Sequence, residues 1–198
     1  MGQKIGIFGS AFDPPHQAHI EIIKNALISC PNIWVMPCFS HAFNKQMSNP
    51  THRFNMINLA LDGLTPYENS KVHLSSFQLT YCRDGSTYNL LKILQNKYDG
   101  CDISFSVIIG QDNADEITKW KDYTQLIHEF PFVVFRREGD KSSNPVWYKK
   151  SPHKYVDINL CPVSSTSIRE DIKAGKEPKY VAPKVLEYIK QHDLYKKG

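Results

Sequence analysis

Two histidines three residues apart, His16 and His19, stand in the stretch Gly9-Ser10-Ala11-Phe12-Asp13-Pro14-Pro15-His16-Gln17-Ala18-His19. On a helix this spacing puts both imidazoles on one face, where they can point at one anionic group. Small residues at 9 to 11 let a ligand approach the backbone, and the free amides of a helix start favour phosphate. Metal ligation is the rival chemistry, but no third His, Cys or carboxylate stands at obvious ligand spacing, so no protein metal cluster is expected. Taken singly, each histidine also reads as an ordinary surface or hydrogen-bonded helix residue. Far along the chain, Val163-Ser164-Ser165-Thr166-Ser167-Ile168-Arg169 offers hydroxyls and amides at a second helix start, with Arg169 one turn in to grip phosphate oxygens. A capped helix with a solvent-facing arginine is the alternative for that segment. Neither Ser164 nor Ser165 is flanked like a serine nucleophile.

The elements that must hold these residues alternate. Lys4 to Phe8 reads as a buried strand ended by Gly9-Ser10, and Ile20, Ile23, Ala26 and Leu27 recur at helical offsets up to Cys30-Pro31. A strand over Ile33 to Met36 follows, then a helix capped at Ser48-Asn49-Pro50 that carries Phe54, Ile57 and Leu61 and ends near Gly63. A weak strand at Lys71 to Leu74, a polar stretch and a helix opened by Ser86 or Thr87 come next. Phe105 to Ile109 is a continuous apolar run, as expected of a central parallel strand buried on both faces. Helical signals surround Ile117 and Leu126, strands are expected at Phe132 to Phe135 and Tyr155 to Ile158, and helices open at Ser164-Ser165-Thr166 and at Pro183. The polar segment 138–154 reads as an exposed excursion. The pattern predicts an α/β fold, a Rossmann-like doubly wound parallel sheet with helices on both faces. Ligands of such sheets lie at the C-terminal ends of the strands.

The first stretch is neither the dinucleotide fingerprint nor a P-loop. It resembles the nucleotidyltransferase signature F-D-P-x-H-x-G-H, with Ala18 in place of the usual glycine, and residues 163–169 look like the same superfamily's I-S-S-T-x-I-R. The extra methyl at 18 is expected beside the nucleotide. Between the two signatures the chain resembles the adenylyltransferases of nicotinate or nicotinamide mononucleotide, over residues 4 to about 190. The resemblance implies an ATP site of Gly9, Ser10, Ala11, Phe12, His16, His19, Gly110, Asp112, Ser165, Thr166 and Arg169. In it, Gly110-Gln111-Asp112 matches a G-x-D whose carboxylate holds the ATP ribose. It implies a mononucleotide site of Lys45, Arg53, Thr87, Tyr88 and Trp120. There Trp120 stacks on the pyridine ring, Arg53 of an R-x-x-M helix anchors phosphate, and Lys45 belongs to a mobile loop that departs from the common bacterial form. Phe135-Arg136-Arg137-Glu138-Gly139 resembles a strand and basic turn of the group. His16, His19, Lys45 and Arg169 are the implied catalytic set, with Mg²⁺ carried mainly on the ATP phosphates. The implied reaction joins ATP and nicotinate mononucleotide, with nicotinamide mononucleotide as a further acceptor, to give deamido-NAD and pyrophosphate.

Composition bounds these expectations. The chain has 198 residues, 41% hydrophobic and 22% charged, enough for one sizeable core and too ordered in composition for a disordered chain. A single nucleotidyltransferase domain over 1–198 is expected, its C-terminal helical part at about 164–195. A net charge of +4 is too small to mark a nucleic-acid binder. No run nears the ~20 apolar residues of a bilayer span, the first residues have no leader pattern, and five cysteines without a C-x-x-C pair fit reduced thiols. A cytoplasmic protein with no nucleic-acid or membrane partner is expected, and a homo-oligomer stays open. The alternatives are another nucleotidyltransferase, such as a phosphopantetheine adenylyltransferase or a cytidylyltransferase, or a nucleotide-binding regulator without turnover.

Overall fold

The computed structural model describes residues 2–40, 46–136 and 147–196. Six parallel strands form its sheet: β1 (Gln3–Ser10), β2 (Asn32–Pro37), β3 (Val72–Leu74), β4 (Ile103–Gly110), β5 (Phe132–Phe135) and β6 (Lys154–Val156). Their order is β3-β2-β1-β4-β5-β6, that of a doubly wound nucleotide-binding sheet, whose connections reverse direction between β1 and β4. The crevice at that reversal opens beside Ser10 and Gly110, the two strand ends where chemistry is sought.

Alternation along the strands divides the core. Ile5, Ile7, Phe105, Val107, Ile109, Phe132 and Val134 face one cluster, while Phe8, Val35, Ile108, Val133 and Phe135 face the other. The second cluster is covered by α1 (Gln17–Ala26) and α2 (Pro50–Leu61). Four helices then follow along the chain: α3 (Pro66–Asn69), α4 (Phe77–Tyr81), α5 (Thr87–Lys97) and α6 (Gln111–Asp115). The last three are α7 (Tyr123–Glu129), α8 (Ser165–Lys173) and α9 (Pro183–Gln191). Ile168, Val185 and Ile189 of α8 and α9 complete the cluster under α1 and α2, and Leu91, Leu94, Ala114 and Leu126 of α5, α6 and α7 pack on the opposite face. The fold expectation therefore holds strand by strand.

Gly6 shows how tightly the centre is packed. A Cβ there would lie 2.5 Å from Ile108 Cδ1 and 3.0 Å from Cys30 Cβ, so β1 can pass between them only without a side chain.

Two short helices stand where no element was expected, α3 after the end of α2 and α4 within the polar stretch that follows β3. The expected excursion over 138–154 also differs. Its residues up to 146 lie outside the described residues, but Trp147–Lys149 forms a 3₁₀ turn in which Tyr148 is completely buried. The Tyr148 hydroxyl donates to Asp115 Oδ1 at 2.9 Å and the Trp147 indole donates to the Ala114 carbonyl at 3.2 Å. Satisfied polar tips let two large aromatics enter the core, so this half of the segment is structural.

Candidate active site

A cavity of about 600 Å³ occupies the crevice between β1 and β4. The β1 end supplies Gly9, Ser10 and Ala11, and α1 supplies His16, Ala18 and His19. Phe12 is the exception in the first motif. It is fully buried at a left-handed φ of 50°, edge-on to Phe8 and to His19 with ring centroids 5.5 and 5.0 Å away. The Phe12 ring therefore supports His19 from below and does not line the cavity.

The two histidines are ordered by the turn that carries them. His16 caps α1, its backbone N–H donates to His19 Nδ1 at 3.2 Å, and the two rings stack at 3.8 Å. A ring nitrogen that accepts an N–H carries no proton, so this bond makes Nε2 the N–H donor of His19. That nitrogen is 3.4 Å from Ser10 Oγ, on the cavity wall.

The second motif is stitched to the first. Ser164 caps α8 by accepting from the Ser167 amide at 3.1 Å, which fixes the helix start that faces the cavity. The Ser165 hydroxyl donates to the Pro14 carbonyl at 2.8 Å. Arg169 donates to the Asp13 carbonyl at 2.7 Å and to Thr166 Oγ1 at 3.3 Å. Ser165, Thr166 and Arg169 all line the cavity, so two segments about 150 residues apart in sequence form one anion-accepting wall.

Gly110 and Asp112 meet this wall from β4. A Cβ on Gly110 would stand 2.6 Å from Asp112 Oδ1, so glycine is what allows the carboxylate to fold back over the strand end. Trp120 lines the cavity beyond them, and Thr87 lines it from the start of α5. Its neighbour Tyr88 does not. The Tyr88 hydroxyl donates to Glu129 at 2.8 Å on the outer surface, because one step along a helix turns a side chain by about 100°. Of the expected pair Thr87 and Tyr88, the structure brings Thr87 to the cavity and places the Tyr88 hydroxyl outside it.

Arg53 departs furthest from its expected role. Its side chain is 0% exposed and donates to four carbonyls: Cys38 at 2.7 Å, Ala11 at 2.9 Å, Ser48 at 3.0 Å and Phe39 at 3.4 Å. The guanidinium is used up in fastening the ends of β1 and β2 to α2, and it does not reach the cavity as a phosphate anchor. Lys45, the expected mobile cation, lies outside the described residues.

Three groups escaped the sequence reading. Asp13 is 4% exposed; its Oδ2 accepts the Ser48 amide at 3.0 Å and its Oδ1 accepts the Tyr195 hydroxyl. Asp84, at the cavity mouth, accepts from the Ser86 amide, the Cys82 thiol and the Asn89 amide and lies 3.6 Å from Lys121 Nζ. Partial burial would raise its carboxyl, but these donors together hold it below the usual carboxylate range, while burial and the Asp84 charge push the Cys82 thiol up to about 12. Gln78 of α4 lines the cavity although it is 3% exposed. Only Asp13 lay inside a recognisable motif.

For a divalent cation, the described residues contain no cluster of three or more His, Cys, Asp or Glu side chains that could hold one. Asp13 is already engaged, and the wall is made of amides, hydroxyls, imidazoles and a guanidinium. Such a wall fits a magnesium ion that travels on the phosphates of its ligand.

Comparison with known proteins gives the family of the chain. A cytidylyltransferase-like family model matches residues 7–171. The probable nicotinate-nucleotide adenylyltransferase of Bacillus licheniformis is 30% identical, over 98% of this chain and 98% of its own. The nicotinate-nucleotide adenylyltransferase of Bacillus subtilis is likewise 30% identical over 98% of both chains. Among solved structures, the Plasmodium falciparum nicotinic acid mononucleotide adenylyltransferase complexed with NaAD superposes with a TM-score of 0.80 at 26% identity, over 98% of this chain and 97% of that one. Matches that run almost from end to end make this chain a member of the cytidylyltransferase-like family, among its nicotinate-nucleotide adenylyltransferases.

Proposed function

We propose that the protein joins ATP and nicotinate mononucleotide to give deamido-NAD and pyrophosphate, as one cytoplasmic nucleotidyltransferase domain. The observation that carries this reading is the shared wall: the His16–His19 turn and the start of α8 bonded to each other through Asp13 and Pro14, beside Asp112 and Trp120. An oxygen of the mononucleotide 5′-phosphate attacks the α-phosphorus of ATP, a new P–O bond forms, and the bond to the β-phosphate oxygen breaks. The nucleophile is already anionic, so no strong base is required. Two mutually repelling phosphate chains must be aligned and the charge of the transition state stabilised.

In this reading His16, the Nε2–H of His19, the α8 amides, Thr166 and Arg169 receive the triphosphate, with Gly9, Ser10, Ala11 and Ser165 close to its backbone-facing side. Gly110 and Asp112 hold the ATP ribose. Thr87 and Trp120 hold the mononucleotide, and Lys45 is assigned to the transferring phosphate. A magnesium ion held chiefly by ATP would neutralise the β- and γ-phosphates. The test is pyrophosphate release with ATP, Mg²⁺ and each pyridine mononucleotide. Faster turnover with nicotinate than with nicotinamide mononucleotide is expected, and no release with either would overturn the proposal.

A further inference from the structure

Gln78 carries a polar atom that the fold leaves unsatisfied. Its Oε1 is buried, has no hydrogen-bond partner, and lies against the end of β1, where a Cβ on Gly9 would come within 3.8 Å of it. A buried acceptor without a donor costs about 1–3 kcal/mol, so its retention in a cavity wall points to a partner supplied by a ligand. Trp120, which also lines the cavity, has its Nε1 buried without a partner.

Two facts identify the ligand group. The first is the side of the sheet. Gly9 continues the alternation of Ile5 and Ile7 along β1, so its Cβ direction, where Gln78 Oε1 lies, points to the face opposite α1 and α8. Gln78 thus belongs to the half of the cavity away from the triphosphate wall. The second is donor chemistry. Near neutral pH the phosphate of nicotinate mononucleotide is ionised past its role as a dependable donor, its pyridine carboxylate has no proton, and the ribose 2′ and 3′ hydroxyls remain.

We propose that Gln78 is a specificity-determining residue whose carboxamide accepts a hydrogen bond from a ribose hydroxyl of the mononucleotide. This rests on the proposed adenylyl transfer and adds to it the group that reads the acceptor's sugar. The terminal torsion of glutamine is soft, so the carboxamide turns toward the cavity at little cost when the sugar arrives. The same contact selects for a ribose, because a site built to bond a hydroxyl discriminates against an analogue lacking it.

The test compares wild type with Gln78→Met, which keeps the length and removes the acceptor. We expect KM for nicotinate mononucleotide to rise about tenfold or more, KM for ATP to stay within twofold, and the melting temperature of the free protein to hold or rise, since an unsatisfied buried group has gone. Wild type should lose about tenfold in kcat/KM with either the 2′-deoxy or the 3′-deoxy mononucleotide. That loss should vanish in Gln78→Met. The deoxy analogues test the idea on the wild type even if the variant folds poorly. An unchanged mononucleotide KM, a rise confined to ATP, or deoxy analogues used as well as the ribonucleotide would overturn the inference. A wild type that releases no pyrophosphate with the mononucleotide would overturn the functional reading and this inference with it.

Discussion

The Tyr195 hydroxyl donates to Oδ1 of Asp13 across 182 positions of sequence, and the other oxygen of that carboxylate accepts the Ser48 amide. Asp13 thereby joins three distant segments directly beneath the turn that carries His16. Burial beside the Asp13 carboxylate pushes the Tyr195 phenol above its ordinary range, so the donor keeps its proton at every working pH. Tyr195→Phe should lower stability by about 1–3 kcal/mol, or roughly 2–12 °C in melting temperature for a chain of this size. Turnover should also fall at a temperature where the variant is folded. Scanning calorimetry and pyrophosphate release measure the two effects, and wild-type values for both would show that the bond has no part in ordering the turn.

His19→Ala should reduce kcat by about 100-fold or more, the scale of losing one donor aimed at transition-state charge. Stability should fall by only about 1–2 kcal/mol, the scale of losing the bond to the His16 amide. An undiminished kcat would remove His19 from the catalytic set.

For Arg53 the expected pattern is the reverse. Arg53→Lys cannot reach four carbonyls at once and should cost about 2–4 kcal/mol in urea unfolding, with KM for the mononucleotide little altered in the folded fraction. A large KM effect without loss of stability would return Arg53 to the substrate-binding role that its R-x-x-M position suggested.

Burial lowers the pKa of His153, whose Nδ1 accepts the Phe132 amide at 3.2 Å. The folded state therefore prefers neutral imidazole, and between the folded pKa and the ordinary value of 6.5 the unfolded chain binds more protons. The contribution of His153 is complete above pH 6.5 and is lost as pH falls toward the folded value. In His153→Asn, whose side-chain oxygen can take the same amide, the decline of the urea midpoint from pH 7.5 to about 5 should be shallower than in wild type. Parallel curves would exclude this histidine as a source of acid sensitivity.

Much of the scaffold was legible because its signals are local. β4 and β5 are apolar runs, and α2 starts where Asn49 and Pro50 announce it. The helices α3 and α4 have four and five residues, too few to display a period, although the Thr65–Glu68 capping box was written in the letters that open α3. The site was legible where motif residues line the cavity and illegible where a residue's partner is remote. A guanidinium meets phosphate or carbonyl oxygens with the same geometry, so only the fold shows that Arg53 holds backbone. Tyr195 and Gln78 belong to no periodic pattern, and their chemistry depends on atoms far away in sequence.

The stitch between Asp13 and Tyr195 has a kinetic consequence. Among its hydrogen bonds, the His16–His19 turn rests on one to a residue that follows α9, a helix packed on α2 through Tyr188–His52 and Lys184–Asp62 contacts at the surface. Opening of the segment after α9 alone, with Val185 and Ile189 still in the core, releases the His16–His19 turn from its brace. Loss of activity on warming should therefore precede loss of the fold, with amide exchange after α9 and at Asp13 rising together before the central strands give way.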